Sequence, residues 1–166
     1  MSKISLSEIS VSSINSLQEK SMYKEEDAKR EPPLEWWQRA HKTDFGMKTI
    51  LLVDDDETFR KAQAKVLERA GFKVVLAENG LKALEAFQES HVDMVITDII
   101  MPEIKGLETI QKLRQINRNV KIIAISGGGR NTPDDYLILA RKLGAMRSLS
   151  KPYTATELLA AIDELM

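Results

Sequence analysis

The chain has 166 residues, of which 43% are hydrophobic, so it can form one ordinary globular domain with a remainder. Its 24 Lys and Arg residues nearly balance 25 Asp and Glu residues, and a formal net charge of -1 argues against nucleic acid or an acidic membrane surface as a partner. The chain contains no Cys, which excludes disulfides and thiolate sites. It also has neither a signal-peptide core nor an apolar run of ~18 residues, so we expect a cytoplasmic protein without membrane insertion.

Residues 1–46 are predicted to be an extension that differs from the rest of the chain. They are rich in Ser and charge and show no sustained periodicity, which is typical of a linker or a weak helix. Both tryptophans, Trp36 and Trp37, lie near its end, where a short helix begun by Pro33 would place Leu34 and Trp37 on one face. The extension could pack on the domain, anchor a partner protein, or reflect a misassigned start, and these interpretations stay open.

Residues 47–166 are predicted to form one α/β domain, because β-branched runs alternate with amphipathic segments. The predicted strands are TILLV, FKVVLA, VDMVIT, VKIIAIS and, as the weakest, AMRSLS. The predicted helices are ETFRKAQAKVLERAG, NGLKALEAFQES, GLETIQKLRQIN, TPDDYLILARKLGA and TATELLAAIDELM. Strict alternation of this kind indicates a five-stranded parallel sheet with helices on both faces, a doubly wound, flavodoxin-like fold.

Helix periodicity and end signals refine this prediction. Gly71 is expected to close the first helix, Asn79 to cap the second, and Pro133 to stand in the first turn of the fourth. Thr154 and Glu157 have the spacing of a capping box before the last helix. The side chains predicted to face the sheet are Ala62, Val66, Leu67 and Ala70 in the first helix, Leu81, Leu84 and Phe87 in the second, and Leu158, Leu159 and Ile162 in the last.

Charged or hydroxyl side chains follow four of the five predicted strands, where ligands of such sheets bind. They are Asp54, Asp55 and Asp56 after the first strand, Asp98 after the third, Ser126 after the fourth and Lys151 after the fifth. Carboxylates gathered in one crevice repel one another unless a cation joins them, and hard oxygen ligands suit Mg²⁺. An ammonium and a hydroxyl beside them would suit a phosphoryl group, which a carboxylate can accept as an aspartyl phosphate.

Simpler interpretations compete with this one for individual residues. A lone Asp after a strand is usually a turn or cap residue, and only the other strand-end groups favour a chemical role for Asp98. Asp56 is better explained as a solvated acid near a helix start. The run GGGR lacks the spacing and Lys of a phosphate-binding loop, and His41 and His91 have no partner at a metal-binding spacing.

Four motifs taken in order, LLVDDDETFR, TDIIMPEIKG, IIAISG and LSKPY, resemble the receiver domains of two-component response regulators. The resemblance covers Thr49 to Met166. It implies that Asp98 is the phosphoacceptor, that Asp55 binds Mg²⁺ directly and Asp54 through metal-bound water, and that the main-chain carbonyl of Ile100 completes the metal ligands.

The resemblance also assigns roles around the phosphoryl group. Ser126 matches the hydroxyl residue that hydrogen-bonds it, and Lys151 matches the lysine that pairs with it, with the bond to Pro152 expected to be cis. Arg60 stands where family members commonly carry Arg. Asp56 matches an acidic position outside the direct coordination shell.

One position departs from the family pattern. Where many receivers carry an aromatic residue in the fifth strand, this chain has Ser148, beside Arg147. A serine cannot act as a swinging ring, so we expect switching to pass from Ser126 into the glycine loop at 127–129 and the fourth helix.

The function that the resemblance implies is signalling, not enzymatic turnover beyond self-phosphorylation and autodephosphorylation. A histidine kinase or phosphotransfer protein would donate the phosphoryl group, and dimerisation on phosphorylation is left open. Since the last helix ends at Met166, we expect output through a downstream protein target and not through an appended domain. The alternatives are a phosphorylation-independent scaffold and, with less support, an Asp-dependent phosphohydrolase, whose two Asp residues usually stand two apart after the first strand.

Overall fold

A computed structural model describes residues 47–101, 106–127 and 133–166, without the side chains of 133 and 134. The predictions for residues 1–46, including Trp36 and Trp37, lie outside the described residues, as do those for 128 and 129 in the glycine loop.

Five strands form one parallel sheet. They are β1 (Thr49–Val53), β2 (Lys73–Ala77), β3 (Met94–Asp98), β4 (Lys121–Ser126) and β5 (Arg147–Ser150). Their order is β2-β1-β3-β4-β5, and every neighbouring pair is parallel. This confirms the predicted fold class, including the weakest strand. Since β2 and β3 flank β1 on opposite sides, the crevice outside the carboxyl ends of β1 and β3 is where such a sheet binds its ligand.

Among the described residues, five helices connect and follow the strands. They are α1 (Glu57–Arg69), α2 (Gly80–Glu89), α3 (Gly106–Ile116), α4 (Pro133–Leu143) and α5 (Ala155–Asp163). Helices α2, α3 and α4 lie side by side and share one hydrophobic cluster with the sheet. Within the described ranges, no helix has the length and apolar character needed to cross a membrane.

The predicted helix ends are confirmed. Asn79 accepts a hydrogen bond from the first turn of α2, and Thr154 and Glu157 form a complete capping box at α5. Helix α4 begins at Pro133. Gly71 follows the last turn of α1 with a φ of 97°, a conformation that disfavours any residue with a Cβ.

The buried face of α1 differs from the prediction. Leu67 and Ala70 are buried as expected, but Val66 is only partly buried and Ala62 is exposed. The other buried side chains of the helix are Gln63 and Ala64. A row of residues spaced by four drifts about 40° around the helix at each step, so the two ends of such a row cannot both face the core.

The buried face of α2 also needs a correction. Leu84 and Phe87 pack against the core cluster as predicted, but Leu81 is 52% exposed and the fully buried side chain is that of Ala83. Leu81 lies about 120° around the helix from Phe87, which places it off the packed face. In α5, by contrast, Leu158, Leu159 and Ile162 are all buried, as predicted.

Asp93 fixes the amino ends of β1 and β3 relative to each other. Its Oδ2 accepts a hydrogen bond of 2.8 Å from the Thr49 N–H, and its own N–H donates to the Thr49 carbonyl at 2.9 Å. The Lys48 ammonium lies 2.9 Å from Oδ1. Burial alone would raise the pKa of Asp93, but these donors outweigh it and hold the pKa below its ordinary value.

Candidate functional site

Three carboxylates meet beyond the carboxyl ends of β1 and β3. Val53 pairs with Thr97 in the sheet register, so the residues that follow, Asp54 and Asp98, stand side by side. One carboxylate oxygen from each of Asp54, Asp55 and Asp98 lies within 4.8 Å of the other two. Asp54 and Asp98 are buried, whereas Asp55 is exposed. Buried like charges at this separation need a compensating cation.

Lys151 supplies that positive charge. Its Nζ lies 2.9 Å from Asp54 Oδ2 and 2.6 Å from Asp98 Oδ2. The Lys151 backbone N–H donates to the Ser126 carbonyl at 2.7 Å, and the peptide bond to Pro152 is cis, as the resemblance implies. The ammonium therefore reaches both buried carboxylates from the end of β5.

The pKa values of Lys151 and Asp54 show that burial and the attraction between opposite charges act against each other. Burial lowers the pKa of Lys151, but its hydrogen bonds to Asp98 and Asp54 outweigh this and raise the pKa above its ordinary value. Burial raises the pKa of Asp54, and the Lys151 ammonium offsets this only in part. The ionised form of Asp54 would therefore be stabilised by further positive charge.

Backbone donors hold both buried carboxylates in place. Asp98 Oδ1 accepts a hydrogen bond of 2.8 Å from the Ile100 N–H, and Asp54 Oδ1 accepts one of 2.9 Å from the Asp56 N–H. The Arg60 guanidinium donates to the Asp54 carbonyl. Asp56 itself caps α1, because its Oδ1 accepts from the Phe59 N–H at 3.0 Å, and it does not join the three-carboxylate cluster.

Ser126 ends β4 with a buried hydroxyl that finds no hydrogen-bond partner among the described residues. A buried hydroxyl without a partner is costly, and its position at a ligand crevice calls for an explanation. The next residue, Gly127, lies against the stem of Lys151. A Cβ at that position would stand 2.7 Å from the lysine Cδ and 2.8 Å from its Cβ.

Two aromatic residues that the sequence interpretation did not place at the site complete its wall. The Lys151 Nζ lies 4.1 Å from the centroid of the Phe59 ring. The Phe59 and Tyr153 rings meet edge to face, with centroids 6.2 Å apart and planes at 81°. Burial, and then the charges of Asp54 and Asp98, raise the pKa of Tyr153 above its ordinary value. Phe59 lies inside the motif LLVDDDETFR, but the resemblance assigns it no role, and only folding connects it to Lys151.

Other candidates from the sequence lie away from this site. Ser148 is in the middle of β5, where it pairs with Ala124, and the neighbouring Arg147 forms an ion pair with Glu164. The guanidinium of Arg147 is therefore engaged on the surface of the domain. His91 is 88% exposed and lies 3.5 Å from Asp93, not near the carboxylate cluster.

The three-carboxylate cluster fits Mg²⁺ by its chemistry. All its donors are hard oxygen atoms, one carboxylate is open to solvent, and burial raises the pKa of Asp54 in spite of the Lys151 ammonium beside it. Asp54, Asp55 and Asp98 are the residues that would hold the ion, with the Ile100 carbonyl as the further ligand that the resemblance implies.

Comparisons with known proteins agree with this arrangement. The family model described as "Response regulator receiver domain" matches residues 50–163. The chemotaxis protein CheY of Bacillus subtilis is 36% identical over 118 residues, which cover 70% of this chain and 96% of CheY. The crystal structure of a response regulator receiver domain protein from Clostridium thermocellum is 33% identical in sequence and has a TM-score of 0.67. The match covers 72% of this chain and 94% of that protein.

Some relatives are much longer than the matched region. The transcriptional regulatory protein CpxR homolog of Haemophilus influenzae is 36% identical over 120 residues, 72% of this chain and 51% of that protein. The chain therefore spans about half the length of that relative, and the regulatory activity in its name belongs to the longer protein.

Proposed function

Since this chain belongs to the response regulator receiver domain family, we propose that it accepts a phosphoryl group on Asp98 from a histidine kinase or a phosphotransfer protein. The observation that carries this proposal is the Lys151 ammonium, which bonds Asp98 and Asp54 together beside an exposed third carboxylate. A nucleophilic oxygen, a fixed cation and a cluster of metal-type ligands are the parts that phosphoryl transfer requires.

In the proposed reaction, a carboxylate oxygen of Asp98 attacks phosphorus. The P–O bond to Asp98 forms as the bond from phosphorus to the donor breaks, and the donor atom keeps the electron pair. The Ile100 N–H holds Oδ1 of Asp98 and orients the carboxylate for this attack. Bound Mg²⁺ would offset negative charge on the phosphoryl oxygens.

Lys151 and Ser126 act on the incoming group. The Lys151 ammonium already lies at Asp98 Oδ2, so a phosphoryl group on that side chain would meet its positive charge. The Ser126 hydroxyl has no partner in the described structure and can donate to a phosphoryl oxygen without giving up another hydrogen bond. Formation of this hydrogen bond would pull on the end of β4 and on Gly127, which lies against Lys151.

Output through a protein target follows as part of the proposal. The pull on Ser126 would reshape the loop after β4 and move α4, without a ring swinging at Ser148. Dimerisation is one form that this output can take.

A phosphohydrolase acting on external substrates has less support. Asp54 and Asp56 stand two residues apart after β1, as in such enzymes, but Asp56 is committed to capping α1 through the Phe59 N–H. It lies outside the carboxylate cluster, where a second catalytic acid would be needed.

The test is incubation of the full chain with acetyl phosphate and Mg²⁺, followed by intact-mass measurement. We expect one added phosphoryl group on the native chain and none on Asp98→Ala. Asp56→Asn is the matched control and should still be phosphorylated, since Asp56 lies outside the cluster. No added mass on the native chain would favour the scaffold alternative, and an added phosphoryl group on Asp98→Ala would place the acceptor elsewhere.

A further inference from the structure

We propose that Phe59 is a positioning residue whose ring holds the Lys151 ammonium in place for phosphoryl binding. The inference rests on the proposed function, because the ammonium matters most when it meets a phosphoryl group. It concerns a residue that lies inside the motif LLVDDDETFR but to which the resemblance assigns no role, and it rests on contacts that α1 makes with the end of β5.

Hydrogen bonds connect Phe59 to the loop that carries Asp54 and Asp55. Phe59 lies in the first turn of α1, and its N–H donates to Asp56 Oδ1 at 3.0 Å. The Asp56 N–H in turn donates to Asp54 Oδ1 at 2.9 Å. These two bonds connect the position of the aromatic ring to that of a carboxylate which Lys151 contacts.

The Lys151 side chain is restrained from several directions. Its ammonium directs N–H groups to Asp54 and Asp98, its stem lies against Gly127, and the ring centroid of Phe59 lies 4.1 Å from Nζ. At this distance the electron-rich ring face attracts a cation, and the attraction is stronger because the lysine side chain is only 23% exposed.

An aromatic ring suits this position better than a polar or an aliphatic side chain. A polar acceptor would compete with phosphoryl oxygens for the ammonium, whereas an aliphatic side chain would pack without attracting the charge. Tyr153 contacts the same ring edge to face, at 81° between the planes, and so restricts the orientation of Phe59.

The first experiment replaces Phe59 in the full chain by phenylalanines carrying increasing numbers of ring fluorines, which weaken the negative ring face with little change in shape. The readout is the affinity for beryllofluoride, a phosphoryl mimic, in the presence of Mg²⁺. We expect affinity to fall with each added fluorine, by roughly 3- to 10-fold over the series, and to fall similarly in Phe59→Leu but less in Phe59→Trp.

The matched control places the same fluorinated residues at Phe87, which packs on the core from α2. Affinity there should stay constant, because Phe87 lies in α2, the helix that follows β2, and packs against the hydrophobic core cluster. If beryllofluoride affinity does not change with fluorination at Phe59, or falls equally with fluorination at Phe87, the inference is overturned.

The second experiment needs neither Mg²⁺ nor beryllofluoride. The ring should shift the side-chain NMR resonances of Lys151 upfield in the native chain, and Phe59→Leu should remove that shift. An unchanged Lys151 spectrum in Phe59→Leu would overturn the inference on its own. If the native chain shows the upfield shift but does not bind beryllofluoride, the proposed function fails while the contact between Phe59 and Lys151 stands.

Discussion

The Lys151 ammonium lies 2.6 Å from Asp98 Oδ2, although the two residues are 53 positions apart in the chain. The same nitrogen lies 2.9 Å from Asp54 Oδ2. Lys151 therefore provides the positive charge that two buried carboxylates need, at the place where a divalent cation would provide it as well. Several consequences for stability and ligand binding depend on this arrangement.

Lys151→Met should destabilise the domain in the absence of divalent cations. Removing the ammonium leaves Asp54 and Asp98 facing each other in a buried site, at an expected cost of about 1–3 kcal/mol in the free energy of unfolding. Chemical denaturation measures this cost. Lys82→Met, which removes an exposed cation paired with Glu85, should change little.

The same variant should separate metal binding from phosphoryl binding. Without the ammonium, the carboxylates repel one another more strongly, so Lys151→Met should bind Mg²⁺ more tightly than the native chain but bind beryllofluoride more weakly. Titrations of each ligand give both affinities. Weaker Mg²⁺ binding in the variant would mean that Lys151 supports the metal site instead of competing with it.

Ser126→Ala should leave stability unchanged to within about 0.5 kcal/mol, because the hydroxyl that it removes has no partner in the described structure. Beryllofluoride affinity should nevertheless fall. Thr97→Val is the control, since the Thr97 hydroxyl is buried and donates to the Asp98 carbonyl at 2.9 Å. That change should cost about 1 kcal/mol, and an equal cost for Ser126→Ala would show that its hydroxyl has a partner.

Gly106→Ala should be far more costly than Gly71→Ala. A Cβ on Gly106 would stand 2.0 Å from the Asp98 carbonyl oxygen and 2.5 Å from the Ile99 Cα, both backbone atoms, so about 3 kcal/mol or more is expected. Gly71 has open space around it, and its φ of 97° alone should cost about 1 kcal/mol. Equal losses in denaturation experiments would mean that the start of α3 moves to admit the methyl group.

Asp93→Asn should lower the free energy of unfolding by about 1–2 kcal/mol at neutral pH, because Asp93 accepts charge-assisted hydrogen bonds from Thr49 and Lys48. The pKa of Asp93 is lowered in the fold, so the unfolded chain binds its proton more readily. The stabilisation is therefore present above the ordinary value of 3.8 and is lost as the pH falls through the lower folded pKa. Denaturation of both proteins along a pH series should show the difference shrinking in acid, and a constant difference would contradict the assignment.

Tyr153→Phe should be neutral or stabilising by up to about 1 kcal/mol. The phenol oxygen is buried without a hydrogen-bond partner in the part of the chain that the structure describes, while the ring contact with Phe59 is kept by phenylalanine. Thermal and chemical unfolding measure the change. A clear loss of stability would show that the hydroxyl is satisfied by an ordered water molecule.

The buried faces of α1 and α2 show the limit of what a local sequence pattern can predict. Ala62 and Leu81 fit an apolar row along their helices, yet both are exposed, because a row that drifts around a helix leaves the packed face at one end. Which end stays buried depends on the strand beneath it. No short segment of the chain contains that information.

The sequence by itself determined the parallel sheet, the helix ends at Gly71 and Asn79, and the set of strand-end residues around Asp98. These depend on apolar periodicity, capping chemistry and the rule that parallel strands present their carboxyl ends at one edge, all of which can be read locally. Only the tertiary structure decided that Lys151 bridges two carboxylates and that the ring of Phe59 lies against its ammonium. Such contacts depend on how β1, α1 and β5 pack in three dimensions, and a cation meets its partners wherever packing brings them within a few ångströms.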